Sequence, residues 1–191
     1  MIPAWAIFIS GRGSNAQALL DILDEVPVRL VVSSRAEVWG LARTRRRGIE
    51  NVILDKKINW SDLHQQLLKR RINRIFLLGF MKIVPAEFIQ LWQGKIYNLH
   101  PSLLPEFPGL HAIEKSFEAQ GKMGVTIHKV TPEMDAGPRL LQKMSLEQAS
   151  VVDQEFAEIL ISRDEQRLVR HAGRQLSGNF ENSRGAQLWP A

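Results

Sequence analysis

Short apolar runs alternate with amphipathic segments along the first half of the chain. Four runs are apolar almost throughout, which predicts strands that are buried on both faces of a sheet. They lie at 4–9, 28–32, 52–54 and 75–78. Apolar residues at helical spacing predict a helix after each of the first three runs. These helices lie over 14–23, 38–47 and 61–70, with Ser14 or Asn15 capping the first and Asn59 or Ser61 capping the third.

The second half of the chain has a different pattern. A strand predicted at 96–100 runs into a proline-rich loop, and two more strands are predicted at 125–130 and 140–144. Helices are predicted over 110–119 and 152–176. The alternation favours one α/β domain over residues 1–176, with a mostly parallel twisted sheet flanked by helices on both faces. Residues 177–191 have little pattern and are predicted to form a partly disordered tail.

Composition excludes several classes of protein. The chain has 191 residues and no cysteine, so disulfide frameworks and thiolate metal sites are excluded. No pair of histidines has the spacing of metal ligands, and we therefore predict no metal site. No apolar run reaches the ~18–20 residues that a membrane-spanning helix needs. We expect a cytoplasmic protein that makes no membrane contact.

Two clusters of basic residues, at 43–47 and 69–71, contribute to the net charge of +5. Such clusters are typical either of nucleic-acid binding or of solvated helix faces that attract anionic metabolites. Neither cluster has interleaved aromatic residues on which bases could stack. The second interpretation is therefore favoured, and we do not expect a nucleic-acid partner.

The loop between the first predicted strand and helix reads Ser10-Gly11-Arg12-Gly13-Ser14-Asn15. Glycines allow a sharp turn and a close approach of the backbone to a ligand, and the N–H groups at a helix start attract anions such as phosphate. The loop lacks the third glycine of the dinucleotide motif and the Gly-Lys-Ser/Thr of a Walker loop. Phosphate binding and an ordinary strand-to-helix turn both remain open.

Asn98 and His100 lie two residues apart on a predicted strand, so their side chains point to the same face. An amide that donates to a carbonyl oxygen, beside an imidazole that moves a proton, suits chemistry in which negative charge develops on that oxygen. A structural histidine in a rigid turn is the alternative. Asp135 would raise the pKa of His100 and orient its ring if the two met, but it could equally close an Asx turn before Gly137.

Five segments in this order resemble the phosphoribosylglycinamide formyltransferase family, over about residues 7–168. They lie at 10–15, 33–49, 79–84, 98–109 and 124–138. The most specific segment reads Asn98-Leu99-His100-Pro101-Ser102-Leu103-Leu104-Pro105. The resemblance implies a Rossmann-like fold and transfer of a formyl group from 10-formyltetrahydrofolate, as co-substrate, to the amine of phosphoribosylglycinamide in purine biosynthesis.

The resemblance also implies roles for individual residues. Asn98 would bind the formyl oxygen, His100 would donate a proton, and Asp135 would keep His100 protonated and oriented. Glu165 would contact the acceptor. The residues expected to bind the acceptor phosphate are Gly13, Ser14 and Asn15. The residues expected to bind folate are Met81, Lys82, Ile83, Val84, Asn98 and Lys57.

Other acceptors remain open, because related enzymes share the segment at 98–105. A formyltransferase acting on methionyl-tRNA or on an amino sugar would use the same chemistry, and formyltetrahydrofolate deformylase would use water in place of an amine. A non-catalytic α/β domain that binds an anion or RNA is the alternative from another class. We expect a monomer or a homodimer.

Overall fold

The computed structural model describes residues 3–54 and 56–178, together with the backbone of residues 187 and 188. The strands are β1 (Trp5–Ile9), β2 (Val28–Ser33), β3 (Glu50–Ile53), β4 (Arg74–Leu77), β5 (Ile96–His100), β6 (Met123–Lys129), β7 (Arg139–Leu146) and β8 (Gln187–Leu188). The helices are α1 (Ser14–Leu20), α2 (Trp39–Arg46), α3 (Trp60–Lys69), α4 (Ala86–Leu91), α5 (Ala112–Glu118) and α6 (Gln154–Ser177). Most of the tail predicted at 177–191 lies outside the described residues.

The strands form one sheet in the order β3-β2-β1-β4-β5-β6-β7-β8. Strands β1 to β5 pair in parallel, whereas β6 runs antiparallel to both β5 and β7, and β8 is parallel to β7. The strand order reverses between β1 and β4. The carboxyl ends of these two strands therefore open a crevice of the kind in which α/β sheets bind ligands.

Two apolar clusters cover the two faces of the sheet, and β1 contributes alternate residues to each. On one face lie Leu19 of α1, Leu41 of α2 and Ile161 of α6. On the other lie Leu67 of α3 and Phe88 of α4. The predicted α/β fold, with a mostly parallel sheet flanked by helices on both faces, is confirmed. None of the helices in the described ranges is long and apolar enough to cross a membrane.

The start of α1 differs from the prediction. Its N-cap is Gly13, with a φ of 71° and no capping side chain, so the assignment of Ser14 or Asn15 as the cap is wrong. Asn15 lies within the helix, and its amide is hydrogen-bonded to another element instead. The helix also ends earlier than predicted, at Leu20, because bonds such as Ile22 N–H to the Leu19 carbonyl tighten the chain into turns. In α3 the cap is Asn59, whose Oδ1 accepts the Asp62 N–H at 3.1 Å.

Among the α-helices of the described residues, α4 is one that the sequence pattern did not predict. It has six residues, fewer than two turns, which is too short for a 3.6-residue period to be recognised. Pro85 occupies its N-cap, where a residue without a backbone N–H is tolerated. Buried Phe88 and Ile89 fix this helix against the sheet.

Candidate active site

The loop after β1 and the segment after β4 meet in the crevice. Ser10 is buried, and its Oγ accepts a hydrogen bond from the Met81 backbone N–H at 2.8 Å. The same oxygen lies 2.5 Å from Oγ of Ser34, which follows β2. The ends of three parallel strands are therefore tied together at the edge of the sheet where ligands bind.

The pairing of β5 with β6 places two imidazoles beside one amide. Asn98 and His100 share a face of β5, as predicted, and Asn98 lies opposite His128 of β6. Asn98 Nδ2 is 3.1 Å from His128 Nε2, and His128 Nδ1 is 3.0 Å from the Lys129 carbonyl oxygen. Since that carbonyl can only accept, Nδ1 carries a proton. Nε2 then accepts from Asn98 when the ring is neutral.

Asp135 completes this arrangement from the loop between β6 and β7, with a φ of 52°. Its Oδ2 lies 3.4 Å from His100 Nδ1 and accepts the Gly109 N–H at 2.8 Å. Its Oδ1 lies 3.3 Å from His128 Nε2 and 3.4 Å from Asn98 Nδ2. The carboxylate therefore lies beside His100. Of the two interpretations of Asp135, this contact agrees with the one in which Asp135 orients the His100 ring. We call Asn98, His100, His128 and Asp135 the polar cluster.

The surroundings of Asp135 keep it ionised. Burial alone would raise its pKa, but the hydrogen bonds with His128 and the Gly109 N–H, and the charges of the two imidazoles, lower the pKa to about 2. The cluster thus contains a fixed negative charge beside two groups that can carry a proton. Such a charge stabilises the protonated form of His100.

Burial and two neighbouring acceptors shift the pKa of His100 in opposite directions. The residue is 4% exposed, and both ring nitrogens face acceptors: Nε2 lies 2.8 Å from the Phe107 carbonyl oxygen and Nδ1 faces Asp135. Burial lowers the pKa of His100, while the Phe107 carbonyl and the Asp135 carboxylate offset part of that effect. The protonated ring satisfies both acceptors, whereas the neutral ring can donate to only one. Asp135 therefore acts in the predicted direction, but burial opposes it.

Asn98 has one donor that a ligand can use. Its Nδ2 carries two hydrogens, of which one points at His128 and the other makes the long 3.4 Å contact with Asp135. The longer contact is the weaker one and is the more easily exchanged for a ligand oxygen. An amide donor beside an imidazole can stabilise negative charge on a carbonyl oxygen and transfer a proton.

The proline-rich loop after β5 is held by side chains of the antiparallel strands. Thr126 Oγ1 donates to the Ser102 carbonyl at 2.6 Å and accepts the Leu104 N–H at 3.1 Å. Arg139 and Gln142 each donate to the Leu104 carbonyl at 2.8 Å. These bonds fix the loop that supplies the Phe107 carbonyl to His100, and so they orient the imidazole.

The loop expected to bind phosphate is packed against α2. A Cβ on Gly13 would lie 2.5 Å from the Gly40 Cα, so a side chain has no room there. Asn15 Nδ2 donates to Glu165 Oε2 at 3.1 Å, while the buried Asn15 Oδ1 has no partner among the described residues. Burial raises the pKa of Glu165, and the bond from Asn15 partly opposes this. The structure thus brings the predicted acceptor residues together and leaves one acceptor oxygen for a ligand.

The segment expected to bind folate borders the crevice but is open to solvent. Met81 is 65% exposed and Ile83 is 81% exposed, Lys82 is also exposed, and Val84 is partly buried. Exposed apolar side chains next to a crevice are typical of a surface that a flat ligand covers. Lys57 is exposed in the loop between β3 and α3, and among the described residues its side chain makes no hydrogen bond or ion pair with this segment.

Sequence reasoning missed His128, which it treated as an ordinary strand residue. The signal lies in the register of β5 with β6, which puts His128 opposite Asn98 from 30 residues away. Within the described part of the chain, no group of three or more acidic or histidine side chains is arranged to hold a metal ion.

Comparisons with known proteins identify a family and several relatives that this chain is similar to in sequence. The family model described as formyl transferase matches residues 4–160. The phosphoribosylglycinamide formyltransferase of Escherichia coli (strain K12) is 35% identical over an alignment of 147 residues that covers 71% of this chain and 69% of that protein. The trifunctional purine biosynthetic protein adenosine-3 of Homo sapiens is 38% identical, but the chain covers only 15% of its length. The chain spans 11% of the corresponding protein of Drosophila melanogaster.

Solved structures have the same fold along almost the whole chain. The phosphoribosylglycinamide formyltransferase of Anaplasma phagocytophilum superposes with a TM-score of 0.90 at 27% identity, and the match covers 100% of both chains. Glycinamide ribonucleotide transformylase 1 of Geobacillus kaustophilus gives a TM-score of 0.86 at 31% identity, covering 93% of this chain and 100% of that one. The chain therefore belongs to the formyl transferase family, among relatives named phosphoribosylglycinamide formyltransferase.

Proposed function

We propose that this protein transfers the formyl group of 10-formyltetrahydrofolate to the amine of phosphoribosylglycinamide in purine biosynthesis. The observation that carries the proposal is the polar cluster, in which Asn98, His100 and Asp135 are held within hydrogen-bonding distance at the carboxyl edge of the sheet. The cluster lies on the strand beside the β1–β4 crevice, where the two substrates would meet. Family membership supports the same reaction.

Each member of the cluster takes a role that its contacts support. The acceptor amine attacks the formyl carbon, a carbon–nitrogen bond forms, and the formyl oxygen becomes an oxyanion. The Asn98 N–H that contacts Asp135 at 3.4 Å turns to that charge, and it and protonated His100 stabilise the oxyanion. The attacking nitrogen then loses a proton, the departing folate nitrogen gains one, and the bond between carbon and folate nitrogen breaks. His100 carries protons between them, which requires Nε2 to exchange the Phe107 carbonyl for the reacting group.

The two substrates are assigned to different segments at the edge of the crevice. Gly13, Ser14 and Asn15 bind the acceptor phosphate at the start of α1, where backbone N–H groups have no partner within the helix. Glu165 and the unpartnered Asn15 Oδ1 accept from donors on the acceptor. The exposed segment 81–84 covers the pterin ring. Lys57 would meet the charged tail of the folate.

A spectrophotometric assay tests the proposal by following loss of the formyl group from 10-formyltetrahydrofolate, with and without phosphoribosylglycinamide. Turnover that depends on the ribonucleotide supports both the chemistry and the acceptor. Turnover without it indicates a hydrolase and overturns the acceptor. If neither condition gives turnover, assays with methionyl-tRNA and with amino sugars decide between another acceptor and a protein that only binds.

The remaining expectations are part of the same proposal. We place the reaction in the cytoplasm, without a metal ion and with no nucleic-acid partner. The active form is a monomer or a homodimer. Size-exclusion chromatography with light scattering, at the concentrations used for the assay, distinguishes these two forms.

A further inference from the structure

Helix α2 presents one aromatic and several cationic side chains along a single stripe. Trp39, Arg43 and Arg46 follow one another at spacings of four and three residues, and therefore lie on the same face. They line a cavity of about 270 Å³ between α1 and α2. The cavity is completed by Gln17, Ala42 and Arg47. None of these residues belongs to the polar cluster or to the segments assigned to the two substrates.

The tryptophan of this stripe is unusually open to solvent. Trp39 is 71% exposed, although tryptophan is among the residues with the most apolar surface to bury. Its ring stacks on no other aromatic ring of the described residues. An exposed indole face that borders a cavity is a surface on which a flat ring can stack.

The arginines supply positive charge that the protein leaves largely unpaired. Arg47 lies 3.3 Å from Asp21, but both side chains are about half exposed, so the pair is weak. Arg43 Nε donates to the Arg12 carbonyl at 3.2 Å, which orients the guanidinium without neutralising it. The side chain of Arg46 makes no hydrogen bond or ion pair with any residue that the structure describes. Guanidinium groups in this state bind phosphate through paired N–H donors.

A simpler explanation accounts for only part of this arrangement. Basic residues in the last turn of a helix interact favourably with its dipole, which explains Arg43 and Arg46. It does not explain Trp39, which opens the same helix at the other end, or the cavity between the helices. The combination of an aromatic face and guanidinium groups that are weakly paired fits a ligand that has both a ring and an anion.

We propose that the cavity between α1 and α2 binds a mononucleotide, with the base stacked on Trp39 and the phosphates held by Arg43, Arg46 and Arg47. The cavity is close to the lower limit of about 300 Å³ for small-molecule sites, which favours a single nucleotide over a larger cofactor. None of the residues that line the cavity is assigned to the proposed reaction. A test of nucleotide binding therefore does not depend on which acceptor the protein uses.

Calorimetric titration of the full chain with ADP tests the proposal, with inorganic pyrophosphate and adenosine as partial probes. We expect ADP to bind one site per chain, pyrophosphate to bind more weakly, and adenosine to give no detectable heat. Trp39→Ala should weaken ADP binding about tenfold, because a stacking partner is lost, while leaving pyrophosphate binding unchanged. Trp39→Phe should retain most of the ADP affinity.

The arginine variants form a matched pair on one helix. Arg46→Ala should weaken both ADP and pyrophosphate about tenfold, because a charge-assisted pair of hydrogen bonds is lost. Arg45→Ala removes a neighbouring exposed arginine that does not line the cavity, and should change either affinity by less than about twofold. All four side-chain changes are at exposed positions, and circular dichroism checks that each variant is folded.

Three results would overturn the proposal. The first is an absence of saturable ADP binding. The second is ADP binding that neither Trp39→Ala nor Arg46→Ala weakens, which would place the nucleotide at the loop of residues 10–15 instead. The third is displacement of ADP by single-stranded RNA with an affinity that rises with RNA length, which would make the stripe a nucleic-acid surface.

Discussion

The polar cluster and segment 81–84 lie at the same edge of the sheet, yet their side chains are exposed to very different extents. His100 and His128 are 4% and 2% exposed, whereas Met81 and Ile83 are 65% and 81% exposed. The cluster is assembled before any substrate arrives, because each member is hydrogen-bonded to another or, like His100, lies at ion-pair distance from Asp135. In the proposed reaction, the segment would be completed by the ligand that covers it. The proposal thus makes the first region a preorganised site for a transition state and the second a binding surface.

This contrast gives a kinetic expectation. Preorganised donors stabilise the charge that develops during the reaction, so their loss lowers kcat. Contacts made equally in the ground state and the transition state change KM and leave kcat unchanged. Substitutions in the polar cluster should therefore lower kcat, whereas substitutions in segment 81–84 should raise KM. The following predictions test that difference.

The largest expected effect is that of Asn98→Ala. Loss of one oxyanion donor typically lowers kcat by ~10²–10³, and we expect the KM of both substrates to stay within a few-fold. Steady-state kinetics measures both quantities. Asn59→Ala is the control, because it removes the α3 cap bond and lowers Tm without approaching the cluster. A kcat for Asn98→Ala within a few-fold of wild type would exclude the oxyanion role.

Asp135→Asn should lower kcat by about 10² at neutral pH and also change its pH dependence. The Asp135 carboxylate raises the pKa of His100 against the effect of burial, so its removal lowers that pKa further. Because an acid must be protonated to donate, the alkaline limb of the kcat profile should move to lower pH. Glu114→Gln is the matched control, since Glu114 pairs with His111 at 3.4 Å on the surface. An unmoved limb would show that Asp135 and His100 are not coupled.

In segment 81–84, Ile83→Ala should raise the KM for 10-formyltetrahydrofolate a few-fold and leave kcat and Tm unchanged. The side chain is 81% exposed and loses apolar contact only with the ligand. Ile159→Ala, an exposed isoleucine on α6, should change neither constant. A fall in kcat at constant KM for Ile83→Ala would contradict the assigned difference between the two regions.

The smallest expected effect is on stability. Burial raises the pKa of Glu165 above its ordinary value of 4.5, so above the raised pKa the folded protein carries a carboxylate that burial disfavours. Glu165→Gln keeps an oxygen for Asn15 and should raise Tm by ~2–4 °C at neutral pH. The gain should shrink as pH falls through the raised pKa and vanish below 4.5, where the side chain is protonated in both states.

Thermal unfolding of Glu25→Gln provides a control of opposite sign. The hydrogen bond from Arg174 lowers the pKa of Glu25, so this substitution should lower Tm slightly at neutral pH. If the change in Tm caused by Glu165→Gln depended on pH in the same way as the change caused by Glu25→Gln, this result would contradict the buried environment of Glu165.

The sequence predicted those features of the site that depend on local spacing. The strand at 96–100 has the predicted bounds, and the two-residue spacing correctly placed Asn98 and His100 on one face. It could not predict His128 as a member of the cluster, because this depends on the antiparallel register of β5 with β6. A shift of one residue in that register would turn His128 away from Asn98.

Two other differences arise from contacts between distant segments. Ser14 and Asn15 are good capping residues, but Asn15 bonds to Glu165, 150 positions along the chain, and Gly13 forms the cap. The basic cluster at 43–47 has no aromatic residue interleaved with it in the sequence, so the pattern predicts no stacking surface there. On the helix, Trp39 lies one turn before Arg43 and shares its face.

The bond from Met81 N–H to Ser10 Oγ has a consequence for how the crevice can be observed. The Met81 side chain is exposed, but its amide hydrogen is held by a buried hydroxyl on another strand end. Exchange of that one amide with deuterated solvent therefore requires the ends of β1 and β4 to separate. Its protection factor reports the free energy of opening the crevice, so the exchange of this single backbone hydrogen measures how firmly the ends of the two strands are held together.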